Sequence, residues 1–373
     1  MFKSIKNVKE ISIIGGFALI LLGGCAQERS INTSNPSLTS NTDTSTEKVG
    51  GNHNPLAKVT SQYKTLGSIE IINNSAKAYL DASSKVVEIA TGFKWTEGPL
   101  WLNKSDTLIF SDIPDNKIYQ YNEKSGLSVY LNKTGATDLV EGDYLGGSNA
   151  LLLNQSDQLV LLQTGDRRVS IMNAPLDQPQ SLFSTLAGAY QGLRLNSPND
   201  GVFDQQGNLY FSDPAYGLKD KLDDERKELT FQGVYRLTPW GKLSVIDETI
   251  KFPNGIGISP DNKTLYVAVS DEQAPVWFAY DIEDDGSVVN KQLLHDASTN
   301  KLDNDIGVPD GMAVHSSGVI FATAPGGVWL LSANGELLAK INTGKFSANC
   351  ALSADEKQLF ITAHDSILKV DLN

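Results

Sequence analysis

Six short stretches place a side-chain oxygen just ahead of a small residue and an apolar run. They are Glu97-Gly98-Pro99, Asn149-Ala150-Leu151, Asn199-Asp200-Gly201, Asn254-Gly255-Ile256, Asp310-Gly311-Met312 and Asn349-Cys350-Ala351. The first residues of these stretches lie 52, 50, 55, 56 and 39 residues apart. Two carboxylates, Glu97 and Asp310, and four carboxamides share one register, and no His or Cys occupies it. An oxygen-only donor set suits a hard cation: Ca²⁺ first, Mg²⁺ second, with Zn²⁺ left open as a substitute. Two carboxylates would balance a divalent charge. Asn-Gly and Asp-Gly are also ordinary turn signals at strand starts. Turn chemistry alone leaves unexplained why the polar residue keeps one register in six repeats.

A ring of ligands needs elements that bring one position of each repeat to a common axis. Each candidate ligand is followed by an apolar stretch, a polar turn and a second β-prone run. Asn254 to Val269 shows the layout best, with Ser259-Pro260-Asp261-Asn262 as the turn. The second run starts 9 to 11 residues after the ring residue in all six. Third runs follow at 117–121, 168–172, 233–237, 276–280 and 327–331, and fourth runs at 243–246 and 337–341. Four short strands per unit of about 40–55 residues is the propeller period. No long stretch has helical periodicity. Little chain remains after Asn349, so the last unit needs a strand from elsewhere. The segments Ser68–Ile72 and Val86–Ile89, within residues 68–90, are the candidates. The expected fold is an all-β, six-bladed β-propeller whose N-terminal strand closes the last blade.

The ends and the charge bound the setting. Lys3, Lys6 and Lys9 precede the apolar run Ile11 to Leu22, which reads as an export signal over residues 1–24. Twelve helical residues reach about 18 Å, short of a bilayer core of about 30 Å. Leu22-Gly23-Gly24-Cys25 resembles a bacterial lipobox, making Cys25 the expected lipidation site. Residues 25–60, rich in Ser, Thr and Asn, read as a flexible tether, and 61–373 as the propeller domain. The expected location is the bacterial cell envelope, exported and held to the membrane by lipid, on the periplasmic or outer-membrane face. A net charge of −13 argues against nucleic acid as a partner, and nothing implies a protein partner. The only other cysteine, Cys350, reads as a small core residue. No nucleophile elbow, Walker motif or dinucleotide fingerprint occurs in a supporting context.

The motifs Thr96-Glu97-Gly98-Pro99, Asn196-Ser-Pro-Asn199-Asp200-Gly201, Phe211-Ser-Asp213-Pro-Ala-Tyr216-Gly217, Phe252-Pro-Asn254-Gly255 and Val308-Pro-Asp310-Gly311 resemble the gluconolactonase/senescence-marker-protein (regucalcin-like) family. The resemblance spans about residues 90 to 370. It implies Ca²⁺-dependent opening of sugar lactones, with some relatives acting on organophosphates. It implies Glu97, Asn254 and Asp310 as metal ligands, Asn199 as a contact to metal or substrate, and Asp310 as the base that activates water. Asn149, Asn349 and Tyr216 are expected to contact substrate, and Asp200 and Asp213 to orient the ligands from behind. Two positions depart from the family pattern. Ser197 stands where regucalcin-like members tend to carry an Arg for substrate, and Thr164 where many bacterial relatives have His. A phosphotriesterase-like hydrolase and a non-catalytic envelope binding propeller are the alternatives.

Overall fold

The computed structural model describes residues 58–137 and 146–373. The expected export signal, Cys25 and most of the expected tether lie outside the described residues. Nearly all regular structure is antiparallel strand, arranged in six sheets that each count as a blade. From the inside outward, the first blade is Thr96–Leu102, Thr107–Asp112, Lys117–Asn122 and Gly126–Asn132. The innermost strands of the next five begin at Ser148, Gly201, Pro253, Met312 and Ser347. The second strand starts at residues 107, 159, 209, 264, 320 and 358. That is ten residues after the ring residue in five blades and nine in the last.

Second strands are flanked by a blade on each side. Thr107–Asp112, Leu159–Gln163, Leu209–Asp213 and Ile320–Ala324 are accordingly buried along their whole length. This explains why they read as continuous apolar runs rather than alternating ones. The core divides into six clusters, one at each blade interface. Phe360 and Ile367 of the last blade meet Phe110 and Tyr119 of the first, so the packing closes on itself.

Closure differs in one respect from the expectation. Val86–Thr91 does complete the last blade, pairing with Ser366–Asp371. Lys58–Leu66 adds a further edge strand to it. Ser68–Ile71, however, pairs with Leu337–Asn342 and becomes the outer strand of the fifth blade. The N-terminal chain thus laces two adjacent blades together. Length alone could not separate these, because either blade edge offers the same unpaired backbone.

Antiparallel order sorts the connections onto two faces. Inner strands start at the ring, so second-to-third-strand links and blade-to-blade links share the ring face. The long connections 188–200, 214–232 and 297–311 all lie there. The opposite face carries mostly short turns such as 154–158, 259–263 and 353–357. Long loops on a rigid scaffold are where binding groups concentrate.

Candidate active site at the propeller axis

All six predicted ring residues are buried on or just before an inner strand. Glu97, Asn149 and Asn254 are each 4% exposed, and Asn199, Asp310 and Asn349 are 6%. At Gly98, Gly255 and Gly311 the glycine after the ring residue is required by contact with the next blade. A Cβ on Gly255 would lie 2.1 Å from the Asp310 carbonyl oxygen, and one on Gly311 would lie 2.0 Å from Asn349 Cγ. Ala150 N donates to the Asn199 carbonyl at 3.0 Å. Neighbouring inner strands therefore touch through backbone at the ring, and bulk there would spread the ligands.

Hydroxyl groups on the second strands complete this lacing. Ser111 Oγ donates to the Asn149 carbonyl at 2.8 Å, and Thr323 Oγ1 to the Ala348 carbonyl at 3.1 Å. Ser270 Oγ donates to the Pro309 carbonyl at 2.6 Å and accepts from Asn254 Nδ2 at 2.9 Å. Sequence reasoning missed these residues. Their signal was a Ser or Thr recurring 13 to 16 residues after the ring residue in all six repeats.

Burying polar atoms without partners is costly. Asn149 Oδ1, Asn254 Oδ1 and Asp310 Oδ1 are buried and have no hydrogen-bond partner among the described residues. Asn254 gives its amide to Ser270, which leaves its oxygen free to face the axis. Three carboxylates also converge here. Burial, with Asp200 nearby, pushes Glu97 up to about 8. Burial pushes Asp200 up to about 7. Burial, then Glu97 and Asp200, push Asp310 well above the usual carboxylate range. Like charges gathered in a dry site with oxygen atoms left unpaired are the surroundings of a cation. No group of three His, Cys, Asp or Glu side chains is close enough to hold an ion among the described residues. The fit is therefore a mixed one, with Asn oxygens supplementing Glu97 and Asp310.

Asp200 lies beside this set, but its oxygens are already engaged. Oδ1 accepts from Gly201 N at 2.9 Å and Oδ2 from Ile256 N at 3.1 Å, tying the third blade to the fourth. Asn349 Oδ1 accepts from Cys350 N at 2.8 Å. Asp213 is more remote. It accepts from Asn196 N at 2.8 Å and Ser197 N at 2.7 Å, and so shapes the loop leading to Asn199. Burial pushes its carboxyl up to about 7.

Tyr216 stacks on Phe252 with centroids 5.5 Å apart. It lies close enough to Asp310 for that charge, after burial, to raise its hydroxyl pKa. Ser197 is consumed by its own loop, donating to the Pro214 carbonyl at 2.5 Å and accepting from Gly217 N at 2.9 Å. Thr164 Oγ1 is buried without a partner among the described residues. Arg168 reaches Gln163, Thr185 and Asp166. Below the ring, the inner strands enclose an axial cavity of about 260 Å³ lined by apolar side chains such as Leu100, Leu151, Val202, Ile256 and Met312. The polar ring caps an apolar channel and faces the side with the long loops.

The chain is similar to known proteins of one family. Residues 95–365 match the sequence model of the SMP-30/Gluconolactonase/LRE-like region. A gluconolactonase from Zymomonas mobilis is 33% identical over 311 residues, covering 82% of this chain and 86% of its own. The solved structure of a gluconolactonase from Xanthomonas campestris superposes with a TM-score of 0.70 at 26% identity, covering 83% of this chain and 97% of its own. A calcium-binding regucalcin from Agrobacterium tumefaciens shares the fold with a TM-score of 0.59 at 17% identity, over 76% and 92% of the two chains.

Proposed function

The chain belongs to the SMP-30/gluconolactonase/LRE-like family, and from that premise we propose that it hydrolyses lactones, sugar lactones of the gluconolactone type first, with a Ca²⁺ ion at the axis. The observation that carries this reading is the set of unpaired buried oxygens, Asn149 Oδ1, Asn254 Oδ1 and Asp310 Oδ1, beside Glu97. Glu97, Asn199, Asn254 and Asp310 would hold the cation. When bound, it would supply Lewis-acid polarisation of the lactone carbonyl and charge to offset the developing oxyanion.

The protein's own groups divide the remaining work. Asp310 keeps one oxygen free to accept a proton from the attacking water. The water oxygen bonds to the carbonyl carbon, the ring carbon–oxygen bond breaks, and the proton passes to the departing ring oxygen. The product is one hydroxy acid. Ser270 holds Asn254 in place, and Asp200 fixes the third blade against the fourth. Tyr216 on Phe252 gives the mouth a flat apolar wall beside Asp310.

Titrating released acid at constant pH tests the reading. We expect glucono-1,5-lactone to be opened in Ca²⁺, activity to disappear in chelator, and a phosphotriester to survive. Phosphotriester turnover without lactone turnover would favour the phosphotriesterase reading. No turnover of either by folded, Ca²⁺-loaded protein would favour a non-catalytic binding propeller.

A further inference from the structure

We propose that the axial site opens a second class of lactone, one that carries a flat apolar ring, and that two aromatic groups on opposite sides of the mouth receive that ring. The inference rests on the hydrolase reading above and adds a substrate class to it.

The first group is Tyr216 stacked on Phe252, with centroids 5.5 Å apart and planes 16° from parallel. Phe252 lies on the link that enters the fourth blade, two residues before Asn254. Tyr216 lies on the link between the second and third strands of the third blade. The second group is Trp95 with Phe346 and His364, at 5.2 and 5.4 Å between centroids. Trp95 lies on the link that enters the first blade, two residues before Glu97. His364 lies on the link between the second and third strands of the last blade, and Phe346 on the link that enters it. Both groups therefore follow one plan: an aromatic just ahead of a ring residue meets a ring from the preceding blade. Two residues of chain span at most about 7 Å, which ties Trp95 and Phe252 close to the ring oxygens.

The two groups stand at different seams of the same closed circle. One is the seam between the last and first blades, the other the seam between the third and fourth. In a circle of six blades taken in chain order, these seams are half a turn apart. A molecule held over Glu97 and Asn254 thus has aromatic surface on two opposed sides.

Trp95, Phe346, Tyr216 and Phe252 are all half-buried, so each keeps part of its surface for another molecule. The backbone adds a separate observation. Phe252 has φ +50° and His364 φ +54°. Among the described residues these are the only ring-bearing side chains held in the left-handed region. A bulky residue there is strained, and such strain gathers at binding sites. One such residue belongs to each aromatic group. Polar side chains beside them are already engaged. Lys345, next to Phe346, is paired with Glu88 at 3.0 Å and Asp365 at 2.7 Å. Ser270 is held between Asn254 and the Pro309 carbonyl. The surface these seams offer a substrate is chiefly aromatic.

The reaction itself is unchanged: one water adds, the ring carbon–oxygen bond breaks, and one hydroxy acid leaves. Aromatic contact far from the breaking bond stabilises substrate and transition state alike, so it is read in KM rather than kcat. Initial rates are measured on the full chain in Ca²⁺ with two δ-lactones that differ only on the carbon beside the ring oxygen. One bears phenyl and the other methyl, and the departing group is a secondary alcohol in both. We expect the parent to favour the phenyl lactone about ten-fold in kcat/KM, with the difference in KM. Phe346→Leu and Phe252→Leu each keep an apolar side chain and lose a ring. Each should raise KM for the phenyl lactone about five-fold and lower the preference accordingly. Trp240→Leu, at a 74% exposed position in a turn of the opposite face, should leave the preference unchanged.

Equal kcat/KM for the two lactones in the parent overturns the proposal, as does a preference that survives in either seam variant or falls equally in Trp240→Leu. Glucono-1,5-lactone is measured alongside, and its turnover in any of those cases keeps the hydrolase reading. No turnover of any lactone by Ca²⁺-loaded protein overturns both. Should a seam variant fail to fold, the parent is inhibited instead with the matching phenyl and methyl δ-lactams. Phenyl lactam binding about ten-fold tighter supports the proposal, and equal inhibition overturns it.

Discussion

Asp310→Asn abolishes lactone turnover and leaves the propeller folded. We expect kcat to fall by about 10²–10⁴-fold, the usual contribution of a general base. The substitution conserves shape, and Asp310 Oδ1 has no protein partner to lose. The backbone contact that seats the residue, Asp310 N to the Thr323 carbonyl at 3.2 Å, is independent of the side chain. The sign of the stability change is the sharper part. Burial and the neighbouring Glu97 and Asp200 disfavour the ionised carboxylate. Asn removes that cost, so the variant in chelator should melt no lower than the parent. Acid titration gives kcat, and thermal unfolding in chelator gives the stability. A variant that keeps full activity refutes the proposed base, and one that unfolds refutes the argument that Oδ1 carries no structural bond.

Glu97→Gln is expected to weaken calcium binding by about 100-fold, since affinity in oxygen sites follows the number of charged ligands. The same residue predicts a pH dependence. Burial and then Asp200 raise Glu97 from the ordinary value of 4.5 to about 8 in the cation-free protein. Below that pH the carboxyl holds a proton that a cation must displace, so binding releases protons and tightens as pH rises towards 8. The stability sign follows from the same shift. A carboxyl whose folded pKa is raised stabilises the fold below its unfolded value, and that contribution is lost as pH rises through about 8. In chelator, then, the parent should lose stability between about pH 4.5 and 8, and Glu97→Gln should flatten the slope. Calorimetry in buffers of different ionisation heat counts the protons. Calcium affinity that is flat between pH 6 and 8 would contradict the buried, proton-holding Glu97.

Much of the architecture was legible because it repeats. The interval between ring residue and second strand announces six copies of one unit, and the third strands at Arg168–Met172, Gly233–Leu237 and Gly327–Leu331 fall where their apolar runs place them. The outer strands were harder. Phe183–Ala187 and Val288–Asp296 are largely exposed, so burial imposes no clear pattern on their sequence. The lacing of Ser68–Ile71 into the fifth blade rather than the last was illegible for the same reason, since a four-residue edge strand fits either edge. At the site, the ring oxygens could be named from their register alone. Ser270 could not, because the Pro309 carbonyl that its hydroxyl meets lies 39 positions on, in the next blade. Nor could the roles of Asp200 and Asn349 be separated by type. Which carboxylate accepts backbone N–H groups and which keeps an oxygen free is decided by how neighbouring blades approach.

The most direct test of the axial site is a paired titration of one sample with Ca²⁺ after exhaustive chelation. Calorimetry reports binding, and acid release from glucono-1,5-lactone reports turnover. We predict one ion per chain, with turnover rising along the same curve as occupancy and absent at zero Ca²⁺. Full lactone turnover in the chelated protein, or calcium binding without any turnover, would contradict a catalytic cation held by Glu97, Asn199, Asn254 and Asp310.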